Sequence, residues 1–156
     1  MIPADLHIHS SYSNYGEFSV AALVKRCLKR QIRTFSITDH NSVRANKEAV
    51  ELTRGNNTDY IPGIEIDCIY NGINLHILGY HIDWRASAFN DLEEEVSANV
   101  MESLDKMIGN IQALGFRIEK DTVLEYANGT VPSAELIAEI MLSEKKYHTP
   151  LLEPYM

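Results

Sequence analysis

Two histidines stand two positions apart near the amino terminus, in the segment His7-Ile8-His9. The alternating apolar run that contains them, residues 2–8, predicts a strand. Side chains at positions i and i+2 of a strand point to the same face, so the two imidazoles could chelate one metal ion. The alternative is two unrelated polar positions at a strand end, because an isolated His-x-His motif is weak.

A carboxylate and an imidazole follow the second apolar run, in Thr38-Asp39-His40. Groups of these types just after a strand can provide metal ligands or an acid–base pair. The alternative is a turn that leads into a helix, with Asp39 accepting hydrogen bonds from backbone amides. The pattern alone leaves both interpretations open.

Two carboxylates alternate with isoleucines in Gly63-Ile64-Glu65-Ile66-Asp67. On a strand, Glu65 and Asp67 would face the same side. An internal Glu is costly unless it is paired or bound to a metal, although a strand with one solvated face would also explain the pattern. A carboxylate such as Glu65 could bridge two cations, which an imidazole cannot do.

The remaining histidines carry weaker signals. His76 stands in the apolar run Leu75-His76-Ile77-Leu78, where a lone histidine is usually a hydrogen-bonded core residue. His81 follows at an odd spacing, so we expect it to face away from His76 and to be structural. His148 lies in a tail without periodicity and is expected to be exposed to solvent.

The elements that would position these residues alternate between strands and helices, which predicts an α/β fold with a parallel sheet. The carboxyl ends of parallel strands form the ligand-binding edge of such a sheet, so residues far apart in sequence would converge there. The predicted strands cover residues 2–8, 34–38, 60–70 and 73–80, and Asn71-Gly72 predicts a hairpin turn between the last two. The first predicted helix covers residues 20–30 and is capped by Ser19. The second covers residues 42–53, opens at Ser42 and is closed by Gly55.

The second half of the chain is predicted to be helical. Apolar residues recur at helical spacing from Leu92 to Leu114 and predict a long helix that ends at Gly115. Two short helices are predicted at residues 121–126 and 133–142. We expect one domain of 156 residues, with strand–helix units and the metal motifs in 1–84 and a helical insertion and tail in 85–156.

Composition restricts the classes of partner. The chain has 14 Lys and Arg against 22 Asp and Glu, a net charge of −8, which disfavours extensive binding to a nucleic-acid backbone or an anionic membrane. It allows a small phosphorylated substrate held by metal ions. No apolar run approaches the roughly 20 residues of a membrane span, and no signal peptide is evident, so a cytoplasmic location is expected. Cys27 and Cys68 are expected to be buried, reduced thiols.

Four motifs in this order resemble the polymerase and histidinol phosphatase (PHP) superfamily of metal-dependent phosphoesterases. The opening Asp5-Leu6-His7-Ile8-His9-Ser10 is similar to its DLHxHS motif, and Thr38-Asp39-His40-Asn41 is similar to its TDHN motif. The segments GIEI and HILGY also match, so that residues 3–83 carry the resemblance closely. It implies a distorted seven-stranded β/α barrel, of which this chain would hold about the first half plus a helical insertion.

The resemblance also implies a ligand set for two or three divalent ions, for which Mn, Fe or Zn suit the donors. His7, His9 and Glu65 would hold a first ion, Glu65 and His76 a second, and His40 a third. Asp39 and His40 would be catalytic, with Asp39 orienting a ligand or assisting proton transfer. Three residues have lesser implied roles: support of an imidazole by Asp5, and weaker metal ligation by Asn14 and Glu135.

The activity implied is hydrolysis of a phosphate ester of a nucleotide, a short oligonucleotide or another small phosphorylated metabolite, through a multinuclear metal site and metal-bound hydroxide. Two alternatives are a histidinol-phosphate phosphatase and a non-catalytic fragment or binding module that lacks the family's C-terminal metal ligands. Because the family's last strands would follow Met156, we expect the first half of a longer protein, with little activity on its own. The open barrel edge would favour self-association.

Overall fold

Three short parallel strands form the sheet that carries the first histidines. The computed structural model describes residues 4–13, 16–128 and 131–143. The strands lie in the order β1, β2, β3 and are joined through two helices, as predicted. Their bounds are β1 Ala4–Ile8, α1 Val20–Lys29, β2 Thr34–Ile37, α2 Arg44–Thr53 and β3 Asp59–Tyr60.

The two faces of this sheet differ because side chains alternate along each strand. Phe35 and Ile37 of β2 are fully buried against α1 and α2, and Ile8 of β1 packs against the same cluster. His7 and His9 therefore lie on the opposite face of their strand. Ser19 caps α1 by accepting a hydrogen bond from the backbone N–H of Ala22 at 3.3 Å, as predicted.

The predicted strand 60–70 is two strands in the structure. Pro62 separates β3 from β4, Gly63–Tyr70, which pairs antiparallel with β5, Ile73–Tyr80. Proline has no N–H to donate to a strand ladder, which explains the interruption. The hairpin turn at Asn71 and Gly72 is confirmed, with left-handed φ values of 51° and 77°. A single parallel bridge between His40 and Glu65 links the end of β2 to β4.

The start of α2 differs from the prediction that Ser42 opens the helix. The helix begins at Arg44, and the capping residue Val43 has no side chain that can accept its hydrogen bonds. The Ser42 hydroxyl accepts from the backbone N–H of Arg44 at 3.3 Å, and the carboxylate of Glu93 accepts from the Val43 N–H at 3.0 Å and from the Ser42 hydroxyl at 2.8 Å. Arg44 Nε also donates to Glu93, at 2.7 Å.

The chain divides into two compact units, the first ending at Glu93 and the second beginning at Glu94. The three predicted helices of the second half are confirmed, as α3 Ser87–Ala113, α4 Lys120–Ala127 and α5 Ala134–Ser143. No helix in the described ranges has both the length and the apolar composition needed to cross a bilayer. The core of the second unit consists of Leu104, Ile108, Phe116, Ile118, Val123, Ile137, Ile140 and Met141.

Candidate metal centre

Four histidines surround the carboxylate of Glu65: two from the end of β1, one from the loop after β2 and one from β5. β4 places Glu65 at the bridge to β2, and its side chain is only 2% exposed. Its Oε2 lies 2.7 Å from His7 Nε2 and 3.3 Å from His9 Nε2. The same oxygen is 3.7 Å from His40 Nε2, and Oε1 is 2.8 Å from His76 Nδ1. The structure thus brings together the five residues singled out in the sequence, although their role as ligands stays a prediction.

The pKa of Glu65 reflects this crowding. Burial by itself would raise the pKa of the carboxyl group. The hydrogen bond with His7 and the charges of His40, His7 and His9 act in the opposite direction and lower it overall. Glu65 is therefore held as an anion at the centre of the cluster, in the form that ligates a cation.

His9 is biased toward its neutral form. Burial and the neighbouring His40 lower the pKa of the His9 imidazole, and the carboxylate of Glu65 offsets only part of this effect. The rings of His9 and His40 are stacked, with centroids 4.7 Å apart. A neutral imidazole is the form that binds metal ions.

Asp67 completes a second group of donors that includes His40 and His76. Asp67 Oδ1 lies 2.7 Å from His40 Nδ1 and 3.7 Å from His76 Nε2. The spacing in the sequence puts Asp67 on the same face as Glu65, although Asp67 is not in the ligand set that the family resemblance implies. The signal was present in the spacing, because positions 65 and 67 of β4 share a face.

Asp39 is buried and belongs to neither group of donors around Glu65. Its side chain is buried and accepts three hydrogen bonds, from the backbone N–H and hydroxyl of Ser10, both at 2.6 Å, and from the hydroxyl of Ser13 at 2.8 Å. The Ser13 hydroxyl in turn accepts from the backbone N–H of His40 at 2.9 Å. Asp39 thus joins the loop after β1 to the loop after β2. This geometry agrees with the alternative interpretation, in which Asp39 binds backbone amides.

The other candidate site residues are Asp5, Asn14 and Glu135, and the other two histidines are His81 and His148. Asp5 Oδ1 accepts a hydrogen bond from the backbone N–H of His7 at 3.4 Å, and its support of an imidazole stays a prediction. His81 is exposed and has a left-handed φ of 55°. Asn14, the side chain of Glu135 and His148 lie outside the described part of the chain. Ser10 and Ser13, which hold Asp39, were not singled out in the sequence.

The donors fit divalent metal ions. They form two groups, His7, His9 and Glu65 in one and His40, Glu65, Asp67 and His76 in the other, with the donor atoms of each group within 4.8 Å of one another. Ligand bonds of about 2.0–2.2 Å place two ligands of one ion up to roughly 4.4 Å apart. Glu65 belongs to both groups. Imidazole and carboxylate together suit Mn, Fe or Zn.

A known protein family matches most of this chain. The model of the PHP domain matches residues 5–148. A segment of 89 residues, 56% of this chain, is 35% identical to the 5'-3' exoribonuclease Rnm of Salmonella typhimurium and spans 30% of that enzyme.

Two solved structures share the fold. A protein of Bifidobacterium adolescentis assigned as a metal-dependent phosphoesterase has a TM-score of 0.76 and 20% identity. An amidohydrolase of Chromobacterium violaceum has a TM-score of 0.78 and 21% identity. The matches cover 92% and 90% of this chain but 51% and 49% of the other two. The predicted PHP-type α/β fold is therefore confirmed, and the chain spans about half the length of these structures.

Proposed function

Because the chain belongs to the PHP domain family, we propose that it acts as a metal-dependent phosphoesterase on nucleotides or short oligonucleotides. The observation that carries this proposal is the buried carboxylate of Glu65, which four imidazoles from three parts of the chain surround. With divalent cations bound, such a site would stabilise the negative charge that develops on phosphoryl oxygens.

The substrate class is supported by two arguments. The Salmonella relative is named as a 5'-3' exoribonuclease, so its substrate is a chain of phosphodiesters. The net charge of −8 would repel such an anion from the protein surface as a whole. The residues around Glu65 would hold cations that reverse the sign of the field locally, and this would restrict productive binding to a phosphate that reaches the cluster.

The residues would divide into two ligand sets that share Glu65. His7 and His9 would hold one ion with Glu65, and His76 and His40, with Asp67 nearby, would hold the other. When bound, such ions polarise phosphoryl oxygens and lower the pKa of a coordinated water. A separate third ion at His40, assisted by Asn14, stays a prediction.

The protein's own contribution is to hold these donors in place. His7 and His76 are half-exposed, so a phosphate can reach the cluster from solvent. We assign Asp39 a positioning role in this mechanism, because its oxygens already accept hydrogen bonds from Ser10 and Ser13. The hydrogen bonds of Asp39 would fix the backbone segments that carry His9 and His40.

The test is a conservative change at the shared carboxylate. Glu65→Gln preserves the size of the side chain and removes its charge, whereas Glu48→Gln is the same change at an exposed position of α2. The measurements are the stoichiometry of bound Mn²⁺ and Zn²⁺ and hydrolysis of three substrates: a nucleoside 3',5'-bisphosphate, a short 5'-phosphorylated oligoribonucleotide and histidinol phosphate.

We expect Glu65→Gln to lose metal and at least about 100-fold of any metal-dependent hydrolysis, while Glu48→Gln matches the unmodified chain. Preference for histidinol phosphate would support the alternative phosphatase. Metal binding without hydrolysis of any substrate would support the non-catalytic module. Failure of the unmodified chain to bind either metal would refute the proposed metal centre.

A further inference from the structure

The residue after His40 has a backbone conformation that most side chains avoid. Asn41 has a φ of 51°, in the left-handed region. Asparagine tolerates this region better than most residues, and this preference alone would explain its presence in a turn. Its side-chain contacts indicate a further role.

Asn41 forms a reciprocal pair with Asp67. Asn41 Nδ2 donates to Asp67 Oδ2 at 2.8 Å, and the backbone N–H of Asp67 donates to Asn41 Oδ1 at 3.0 Å. The backbone N–H of Asn41 also donates to the carbonyl oxygen of Glu65 at 2.7 Å. One residue in the loop after β2 is thus attached to the backbone and carboxylate of β4 at both acidic positions of the cluster.

The pair with Asn41 leaves Asp67 in one orientation. With Oδ2 held by the amide, Oδ1 lies 2.7 Å from His40 Nδ1. A carboxylate can only accept hydrogen bonds, so the hydrogen of this contact belongs to Nδ1. The other ring nitrogen, His40 Nε2, is then directed toward Glu65 Oε2, and these two atoms are 3.7 Å apart.

We propose that Asn41 is a positioning residue that, through Asp67, sets the protonated nitrogen of His40 and directs its Nε2 into the cluster. Hydrogen bonds from outside partners to the second nitrogen of a metal-binding histidine fix its tautomer and orientation. Asn41 would supply this support indirectly, because it holds Asp67, which contacts His40. The consequence for metal binding rests on the proposed function, whereas the tautomer of His40 does not.

The experiment separates the amide of Asn41 from its backbone conformation. Asn41→Gly retains easy access to the left-handed region and removes the amide. Asn71→Gly is a matched control, because Asn71 has the same φ of 51° in the exposed hairpin turn. Asn41→Asp is a second variant, which keeps an acceptor for the Asp67 N–H but replaces the amide donor with a negative charge facing the Asp67 carboxylate.

The first readout is the histidine tautomer in the metal-free chain, by long-range ¹H–¹⁵N NMR at a pH where His40 is neutral. We expect His40 to be the Nδ1–H tautomer in the unmodified chain and in Asn71→Gly, and a mixture in both Asn41 variants. The second readout is calorimetric titration with Zn²⁺. We expect the dissociation constant to rise about 10- to 100-fold in the Asn41 variants and to be unchanged in Asn71→Gly.

Two results would overturn the inference: an Nε2–H tautomer in the unmodified chain, or an unchanged His40 tautomer in a folded Asn41→Gly or Asn41→Asp chain. If the unmodified chain has the expected tautomer but does not bind Zn²⁺, the proposed function fails and the positioning role of Asn41 is still decided by the NMR result.

Discussion

At the scale of single residues, the environment of Glu65 dominates the energetics of the site. A buried carboxylate is costly to desolvate unless hydrogen bonds or charges compensate it. Here the compensation comes from imidazoles that meet at one anion, at donor separations suited to a cation. A bound divalent ion supplies the positive charge that neutral imidazoles lack, so we interpret the cluster as built for the metal-bound state.

The two cysteines allow a prediction about reactivity. Cys27 is buried in the core between α1 and the sheet, and this burial, followed by the charge of Asp5, raises the pKa of its thiol. Cys68, expected to be buried, is only half-buried on β4, because its side chain lies on the partly uncovered face of the hairpin. A raised pKa lowers the thiolate fraction, which is the reactive form.

We therefore expect a thiol reagent such as iodoacetamide to modify Cys68 in the native chain and Cys27 only after unfolding, as measured by mass spectrometry of peptides. Cys68→Ser is the control, and it should leave almost no reactive thiol in the folded protein. Equal rates of labelling at both positions would contradict the described burial of Cys27.

At the scale of elements, the loop between β2 and α2 is held from two sides. The hydrogen bonds of Asp39 and Asn41 join it to neighbouring loops and to β4. Glu93, at the end of the first unit, accepts hydrogen bonds at the start of α2. These contacts determine where His40 lies, because His40 is in the same loop.

Glu93→Ala tests how much the contacts of Glu93 at the start of α2 contribute to stability. The carboxylate accepts from Ser42, Val43 and Arg44. Because its removal leaves the partly buried N–H of Val43 without its acceptor, we expect the free energy of unfolding to fall by about 1–3 kcal/mol. Chemical denaturation would measure this fall. Glu95→Ala, at an exposed position of the same helix, should change stability by less than about 0.5 kcal/mol.

At Gly63, the backbone of β4 lies close to side chains of β2 and of the loop after it. A Cβ at this position would overlap the hydroxyl of Ser36 and lie 2.8 Å from Thr38 Cγ2, and both of these residues are fully buried. We expect Gly63→Ala to destabilise the fold by about 1–3 kcal/mol in thermal or chemical unfolding, because β4 must move away from β2.

Gly109 provides the opposite case for the same substitution. It lies within α3, and no atom is within 4 Å of a Cβ built there. Gly109→Ala should stabilise the chain by about 0.5–1 kcal/mol through helix propensity. For Gly63→Ala, by contrast, a fall in the free energy of unfolding no larger than that of an ordinary surface substitution would contradict the close packing of β4 on β2.

At the scale of the whole molecule, one face of the β4–β5 hairpin is apolar and largely exposed. It lies opposite the face that carries Glu65 and Asp67, as the alternation along the strands requires. Tyr70, Ile73 and Ile77 on this face are 68%, 61% and 54% exposed. Apolar surface concentrated in this way usually contacts another protein surface.

The sequence predicts self-association through an open sheet edge, which stays a prediction; this apolar face is a second surface through which copies of the chain could associate, and its contribution can be measured. We expect the apparent mass of the chain in light scattering to rise with concentration, and Ile77→Lys to reduce the rise by placing a charge on the apolar face. Leu114→Lys introduces the same charge at another exposed apolar residue and should have little effect. A monomer at every concentration would refute the prediction.

Much of the local structure could be read from the sequence alone. The alternation in His7-Ile8-His9 and Glu65-Ile66-Asp67, the Asn71-Gly72 turn and the helical spacing from Leu92 to Leu114 predicted elements that the structure confirms. These signals are local, because the period of side-chain direction along a strand or helix is set by backbone geometry.

Only the tertiary structure decided how these elements serve the site. The roles of Asp39 and Asn41, the contact of Asp67 with His40 and the cap that Glu93 gives to α2 each join residues 26 or more positions apart in sequence. A carboxylate has the same chemistry whether it holds a loop, orients an imidazole or binds a metal. Which of these it does depends on the groups that the fold brings within about 3 Å of it, and no periodicity in the sequence encodes that neighbourhood.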